Sequence, residues 1–127
     1  MKLALDTNRY TDLANAEPAV VARIQQAQLI VMPFVTIAEL RSGFAMGTRG
    51  KGNEHFLQNF LGRPDVLSLY PDEDTTRHYA PLYQQLRRQG TPIPTNDMWI
   101  AALVTQHGLT LYARDAHFDQ LPQLPRC

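Results

Sequence analysis

The sequence predicts an α/β fold in one domain spanning residues 1–127, with a central parallel sheet of four to five strands and helices on both faces. Short apolar runs alternate with longer helix-like stretches along the chain. Parallel strands need long crossover connections, usually helices, so this alternation favours a covered parallel sheet. A length of 127 residues with 44% hydrophobic side chains suits one core, and no repeat or linker divides the sequence.

The first half of the chain supplies two predicted strands and three predicted helices. Leu3–Leu5 is a short apolar run, and helices are predicted over Thr7–Asn15 and Glu17–Gln28. Leu29–Met32 is a continuous apolar run short enough for a buried strand. A further helix is predicted from about Ile37 to Met46.

Glycines and basic residues dominate the middle of the chain. The segment Gly43–Gly52, which contains Arg49 and Lys51, predicts a flexible basic loop. An amphipathic helical stripe follows, and Val66–Leu69 is a third strand candidate. The stripe consists of Phe56, Leu57, Phe60 and Leu61.

The last third of the chain predicts two helices and a strand. Asp72 or Asp74 can cap a long helical stretch, which Pro81 is expected to kink or split. Met98–His107 begins with apolar turns and predicts a buried helix. Leu109–Tyr112 predicts the fourth strand.

Charge and composition exclude several classes of protein. Twelve basic and 12 acidic residues give a net charge of zero, which disfavours a non-specific nucleic-acid coat protein but not a nuclease. Neither a membrane span nor a signal peptide is expected, because Asp6 interrupts the first apolar run and no later run is long enough. The one cysteine, Cys127, permits no intrachain disulfide, which fits a cytoplasmic protein.

Four acidic residues are candidates for one site. Asp6 and Asp115 follow the first and fourth predicted strands, and Glu39 lies in the first turn of the helix after the second. Ligand sites in open parallel sheets form beyond the carboxyl ends of the strands. Asp97 starts the predicted buried helix, and the segment assignment leaves its position relative to that edge open.

Each acid also has a structural explanation, which is the commoner one for any acid taken alone. Asp6 could cap the first helix, and Thr36 to Glu39 match a capping box. Asp97 could be a first-turn acid favoured by the helix dipole, and Asp115 a turn residue.

Four segments around these acids resemble, in order, the motifs of PIN-domain ribonucleases of the VapC type, the toxins of toxin–antitoxin pairs. Ala113 departs from the pattern, because VapC-type proteins usually carry Thr or Ser there. The chain also stops where relatives often continue into a last edge strand. The four segments are Leu5–Asn8 (LDTN), Thr36–Gly43 (TIAELRSG), Pro94–Ala102 (PTNDMWIAA) and Leu111–Phe118 (LYARDAHF).

The resemblance implies a Mg²⁺- or Mn²⁺-dependent endoribonuclease that hydrolyses RNA phosphodiester bonds. It implies Asp6 and Asp97 as direct metal ligands, and Asp115 as a ligand or the anchor of a second ion. Glu39 would bind metal through water or orient the attacking water. Hard divalent cations prefer such carboxylate oxygens, and a bound cation relieves the repulsion between clustered acids.

The resemblance also implies partners: a VapB-like antitoxin whose tail fills an apolar groove, and a second toxin copy in a homodimer. Other residues are candidates for three further roles: orienting the metal ligands, docking RNA and lining the antitoxin groove. Thr7, Asn8 and Asn96 would orient ligands or contact phosphate, Arg49 and Lys51 would dock RNA, and Tyr10, Leu13, Phe56 and Phe60 would line the groove.

The histidines do not show a zinc-binding spacing, so zinc is not expected. His117, beside Asp115, is the one histidine expected near the site, although a partly exposed residue at a helix start is the simpler interpretation. Trp99 is interpreted as a core aromatic.

Three alternative functions stay open. An acid-rich phosphohydrolase would need a second Asp where this chain has Asn8. A PIN fold without catalysis could serve as a binding module, although all four acids are present. A PIN nuclease could process RNA without any antitoxin.

Overall fold

Four parallel strands form the central sheet in the order β3-β2-β1-β4, and the computed structural model describes all 127 residues. Helices join the strands, as the sequence predicts. The elements are β1 (Lys2–Leu5), α1 (Thr7–Ala14), α2 (Pro18–Gln25), β2 (Leu29–Pro33), α3 (Phe34–Met46), α4 (Gly50–Leu61), β3 (Val66–Leu69), α5 (Glu73–Gln89), α6 (Thr95–His107), β4 (Thr110–Tyr112) and a 3₁₀ helix (Ala116–Gln120).

The central strand β1 shows why helices cover both faces of the sheet. Side chains of a strand point alternately to opposite faces. Leu3 and Leu5 enter a core with α1 to α4, whereas Ala4 enters a second core with α5 and α6. β1 pairs with β2 on one side and β4 on the other, with Leu3 opposite both Ile30 and Thr110. The predicted parallel sheet with helices on both faces is therefore confirmed.

The predicted start of the third helix is wrong by one turn. α3 begins at Phe34, directly after β2, so Thr36 and Glu39 do not form a capping box at its first residue. The Thr36 side chain is fully buried, and its hydroxyl donates a hydrogen bond to the Leu5 carbonyl oxygen at 3.0 Å. Thr36 therefore ties α3 to the end of β1.

The predicted flexible basic loop is also wrong in extent. α3 continues to Met46 and α4 begins at Gly50, so only three residues separate the two helices. A Cβ atom at Gly50 would lie 2.8 Å from the carbonyl oxygen of Phe44. Glycine therefore permits a close helix–helix junction here, where the sequence pattern suggested flexibility.

The long helix α5 is continuous, so the predicted split at Pro81 does not occur. Asp72 is the cap: its carboxylate accepts from the Thr75 backbone nitrogen at 3.1 Å, and the Thr75 hydroxyl accepts from the Asp72 backbone nitrogen at 3.0 Å. Asp72 also accepts from Gln106 at 2.9 Å, which joins α5 to α6.

No helix in the structure has the length and apolarity needed to cross a membrane.

Candidate active site

Asp6 is a buried carboxylate at the carboxyl end of β1. Its side chain caps α1 by accepting a hydrogen bond from the Arg9 backbone nitrogen at 2.8 Å, and the residue is only 5% exposed. Burial raises the pKa of Asp6, and the negative charge of Asp115 adds to this, while the hydrogen bond and charge of Arg9 oppose it. The predicted alternative, that Asp6 caps α1, is thus confirmed. Capping alone does not explain why this carboxylate is buried away from solvent.

Asp97 and Asp115 meet through His117. The Nδ1 atom of His117 lies 2.8 Å from Oδ2 of Asp97 and 3.0 Å from Oδ1 of Asp115. One ligand atom from each of these three residues lies within 4.8 Å of the other two. Asp115 also caps the 3₁₀ helix by accepting from the His117 backbone nitrogen at 2.9 Å. The fold therefore brings the start of α6 to the end of β4, which the sequence pattern alone left open.

Electrostatic interactions connect the four acids, which together are called the acid pocket below. Burial raises the pKa of Asp97, and the charges of Asp115 and Glu39 raise it further, whereas His117 lowers it. The hydrogen bond from His117 to Asp97 in turn raises the pKa of the imidazole. Like charges at close range disfavour ionisation of one another. A divalent cation would relieve this repulsion.

Glu39 lies at the margin of the pocket, on the exposed side of α3. Its Oε1 accepts a hydrogen bond from the Thr7 hydroxyl at 2.9 Å. Glu39 is outside the close group formed by Asp97, Asp115 and His117. This position suits a carboxylate that acts across a water molecule more than one in direct contact with the same ion.

The other candidate polar residues lie in two places, beside the acids and at the start of α4. Asn8 and Asn96 are exposed, beside Asp6 and Asp97, and their side chains form no hydrogen bond within the chain. Lys51 is exposed in the first turn of α4. Arg49 immediately precedes α4 and lines a cleft of about 400 Å³.

That cleft lies between α1, α3 and α4. Of the four predicted groove residues, Tyr10 and Phe56 line it, whereas Leu13 and Phe60 do not. The Tyr10 hydroxyl is buried without a hydrogen-bond partner, and its pKa is raised to about 12 by burial and by the negative charge of Glu54. The lining residues are Tyr10, Thr11, Ala14, Asn15, Leu40, Phe44, Arg49, Gly52, Asn53 and Phe56.

Sequence reasoning missed a charged network beside Asp6 and Asp115. Arg114 donates two hydrogen bonds to the Asp12 carboxylate, at 3.0 and 3.1 Å. Arg9 lies 3.5 Å from the same carboxylate, and its guanidinium stacks 4.4 Å from the centre of the Tyr112 ring. These contacts tie α1 to the segment after β4. The i, i+3 spacing of Arg9 and Asp12 was the one local signal, but nothing local pointed to Arg114.

The sequence places His117 near the site, beside Asp115, but does not indicate its contact with Asp97. The neighbours of His117 in the fold are carboxylates and not other histidines, so the spacing between histidines gives no sign of this cluster. The donor set of the pocket is therefore mixed, with carboxylate oxygens and one imidazole nitrogen. Such a set fits a divalent cation such as Mg²⁺, Mn²⁺ or another first-row metal.

Comparison with known proteins gives one consistent family. Residues 3–124 match the PIN domain. The chain is 35% identical over 123 residues to the VapC ribonuclease Y4jK of Sinorhizobium fredii, covering 89% of this chain and 86% of that protein. It is 34% identical over 113 residues to ribonuclease VapC1 of Haemophilus influenzae, covering 86% and 80%. The structure of VapBC-1 from nontypeable Haemophilus influenzae is 30% identical, covers 100% of this chain and 97% of the other, and superimposes with a TM-score of 0.86.

Proposed function

The chain belongs to the PIN-domain family, and on that premise we propose that it is a metal-dependent endoribonuclease acting as the toxin of a type II toxin–antitoxin pair. The observation that carries the proposal is the meeting of Asp97 and Asp115, from α6 and from the end of β4, in one pocket with buried Asp6. Similarity to VapC ribonucleases supports the reaction, and the VapBC-1 neighbour supports the pairing with an antitoxin.

The pocket assigns different tasks to its residues. Asp6 and Asp97 would bind the cation directly, since both are carboxylates whose pKa is raised by burial and raised further by the nearby charge of Asp115. Asp115 would share that ion or hold a second one. Bound Mg²⁺ or Mn²⁺ supplies charge stabilisation at the phosphate and activation of a water molecule. Glu39, oriented by Thr7, would accept a hydrogen bond from the attacking water and direct it at phosphorus.

The substrate would be docked by positive charge outside the acid pocket. Arg49 and Lys51 are exposed around the start of α4. Each can contact an RNA phosphate without reading the base. Because the net charge of the chain is zero, such local contacts would supply the attraction.

The antitoxin would occupy the cleft between α1, α3 and α4. Its apolar lining includes Phe56, which is 49% exposed, whereas Tyr10 beneath it is only 2% exposed. A helix with apolar anchors fits such a groove. A basic side chain of the partner, reaching toward the acids, would block metal or RNA. The expected toxin homodimer and the cytoplasmic location stay predictions.

RNA cleavage with Mg²⁺ or Mn²⁺, by protein separated from its antitoxin, tests the nuclease. We expect cleavage to stop in a chelator and in Asp97→Asn, because a neutral amide is a poor ligand for a hard cation. Asp74→Asn, a surface change on α5, is the matched control and should keep full activity. Cleavage by a clean preparation in excess chelator would disprove the proposal.

A further inference from the structure

His117 contacts two of the four acids, yet the function proposed above assigns no role to it. The residue is exposed, with 49% of its side chain accessible, so core packing does not hold the ring in place. Its ring contacts instead two of the carboxylates assigned to the metal, Asp97 and Asp115, through one atom, Nδ1. The 3₁₀ helix that Asp115 caps fixes the backbone of His117, whose nitrogen donates a hydrogen bond to the Asp115 carboxylate.

We propose that His117 is a nitrogen ligand of the metal, together with Asp97 and Asp115, and that it makes the site selective for a first-row transition ion such as Mn²⁺ over Mg²⁺. The proposal rests on the proposed function, because it concerns the same pocket. It adds a residue to the four-acid set and specifies the class of cation.

The distances support ligation. Metal–ligand bonds to imidazole nitrogen and carboxylate oxygen are about 2.0–2.2 Å, so two ligands on opposite sides of one ion are about 4 Å apart. The three candidate atoms of Asp97, Asp115 and His117 already lie within 4.8 Å of one another. A small adjustment of these partly buried carboxylates and of the exposed His117 ring would therefore allow all three to contact one ion in place of the present hydrogen bonds.

The chemistry of the donor supplies the selectivity. Mg²⁺ prefers carboxylate oxygen and retains several waters, so an imidazole adds little to its binding. Transition ions accept imidazole nitrogen readily, and their affinity for nitrogen ligands increases from Mn²⁺ toward Cu²⁺. A pocket with only acids would lack the contribution of the imidazole to this preference.

A purely positioning role for His117 is the alternative. In that case the ring would hold the two carboxylates by hydrogen bonds and never contact metal. His117→Asn separates the two roles, because its amide nitrogen can reach the position of Nδ1 and donate to Asp97 but carries no lone pair for a metal. Both roles predict an effect for His117→Ala, whereas only ligation predicts loss of the metal–nitrogen contact in His117→Asn.

The test is pulsed electron paramagnetic resonance of the purified full chain with one equivalent of Mn²⁺, together with calorimetric titrations of Mn²⁺ alone and Mg²⁺ alone. We expect ¹⁴N modulation from a bound imidazole in the wild type and its loss in both His117→Ala and His117→Asn. Mn²⁺ affinity should fall at least about tenfold in both variants. Mg²⁺ affinity should change by less than about twofold. His107→Ala, at the exposed end of α6, should keep the nitrogen signal.

The outcomes separate this inference from the proposed function. Saturable Mn²⁺ binding that Asp97→Asn abolishes, but with no nitrogen modulation in the wild type, would overturn the role of His117 and leave the nuclease proposal standing. Nitrogen modulation that persists in His117→Ala would also overturn it. Absence of any Mn²⁺ or Mg²⁺ binding dependent on Asp97 would overturn both.

Discussion

The hydroxyl of Thr7 donates a hydrogen bond to Oε1 of Glu39 at 2.9 Å, joining the first turn of α1 to α3 beside the acid pocket. The bond spans 32 residues of sequence and lies at the protein surface. A single exposed hydrogen bond of this kind contributes little to folding, so its main consequence is the orientation of Glu39.

Replacing Thr7 by Val should therefore reduce RNA cleavage more than stability. We expect kcat to fall about tenfold, as is typical when the partner of a site carboxylate is lost. The free energy of unfolding should change by less than about 1 kcal/mol. Thr7→Ser keeps the hydroxyl and should retain most activity, as measured by single-turnover cleavage of a labelled RNA. Equal rates for Thr7→Val and the wild type would show that Glu39 needs no such orientation.

Asp6→Asn should stabilise the metal-free protein. Burial raises the pKa of Asp6 in the folded state above its ordinary value of 3.8, which applies in the unfolded state. At pH values between the unfolded and the folded pKa, the folded state therefore binds more protons than the unfolded state. Stability is therefore lost as the pH rises through this window. Asn cannot ionise and still caps α1. We expect a gain on the order of 1 kcal/mol at pH 7 that disappears below about pH 4.

Chemical denaturation in excess chelator, at neutral and at acid pH, measures this effect. Asp6→Ala is the informative companion, since it removes the repulsion and the cap together and should be less stable than Asp6→Asn by about 1 kcal/mol. A metal-free Asp6→Asn protein that is less stable than the wild type at pH 7 would mean that capping outweighs the cost of burying the charge.

Phe56→Asp should weaken binding of the antitoxin without unfolding the chain. Phe56 lines the cleft between α1, α3 and α4 and is 49% exposed, so a charge there meets water in the free protein and an apolar partner in the complex. Tyr83→Asp is a matched control, because Tyr83 is also 49% exposed but lies on α5. Co-purification with the product of a neighbouring small gene provides the measurement. Equal recovery with both variants would place the partner elsewhere.

Lys51→Ala should lower the affinity for RNA and make that affinity less sensitive to salt concentration. Loss of one phosphate contact with single-stranded RNA should reduce the slope of log affinity against log salt by about 0.7. Anisotropy titrations in the Asp97→Asn background avoid cleavage. Lys2→Ala is the control, since Lys2 starts β1 at the opposite end of the sheet from the acid pocket. A slope that falls equally in both variants would indicate a general charge effect and no docking at α4.

The local pattern of residues determined much of this protein. Short apolar runs mark β1, β2 and β4, because a buried parallel strand requires a continuous apolar segment. The edge strand β3 includes Ser68, and only Val66 in it is buried. The position of Asp6 after β1 and of Asp115 after β4 then follows from chain order alone. Helix α5 could be predicted from the cap at Asp72, whereas its continuity through Pro81 depends on packing against α6.

Only the tertiary structure decided which of these residues meet. His117 and Asp97 are in contact although 20 residues separate them in the sequence, and Arg114 and Asp12 although 102 residues do. Separations this long do not produce a periodic pattern in the sequence. The cleft likewise includes Phe44, which falls within both the predicted helix to Met46 and the predicted basic loop. The close approach of Gly50 to its carbonyl oxygen, which the sequence pattern does not indicate, forms a tight helix junction there. Local patterns record which face of an element is apolar, whereas a site forms where the ends of separate elements converge, and that convergence is set by packing.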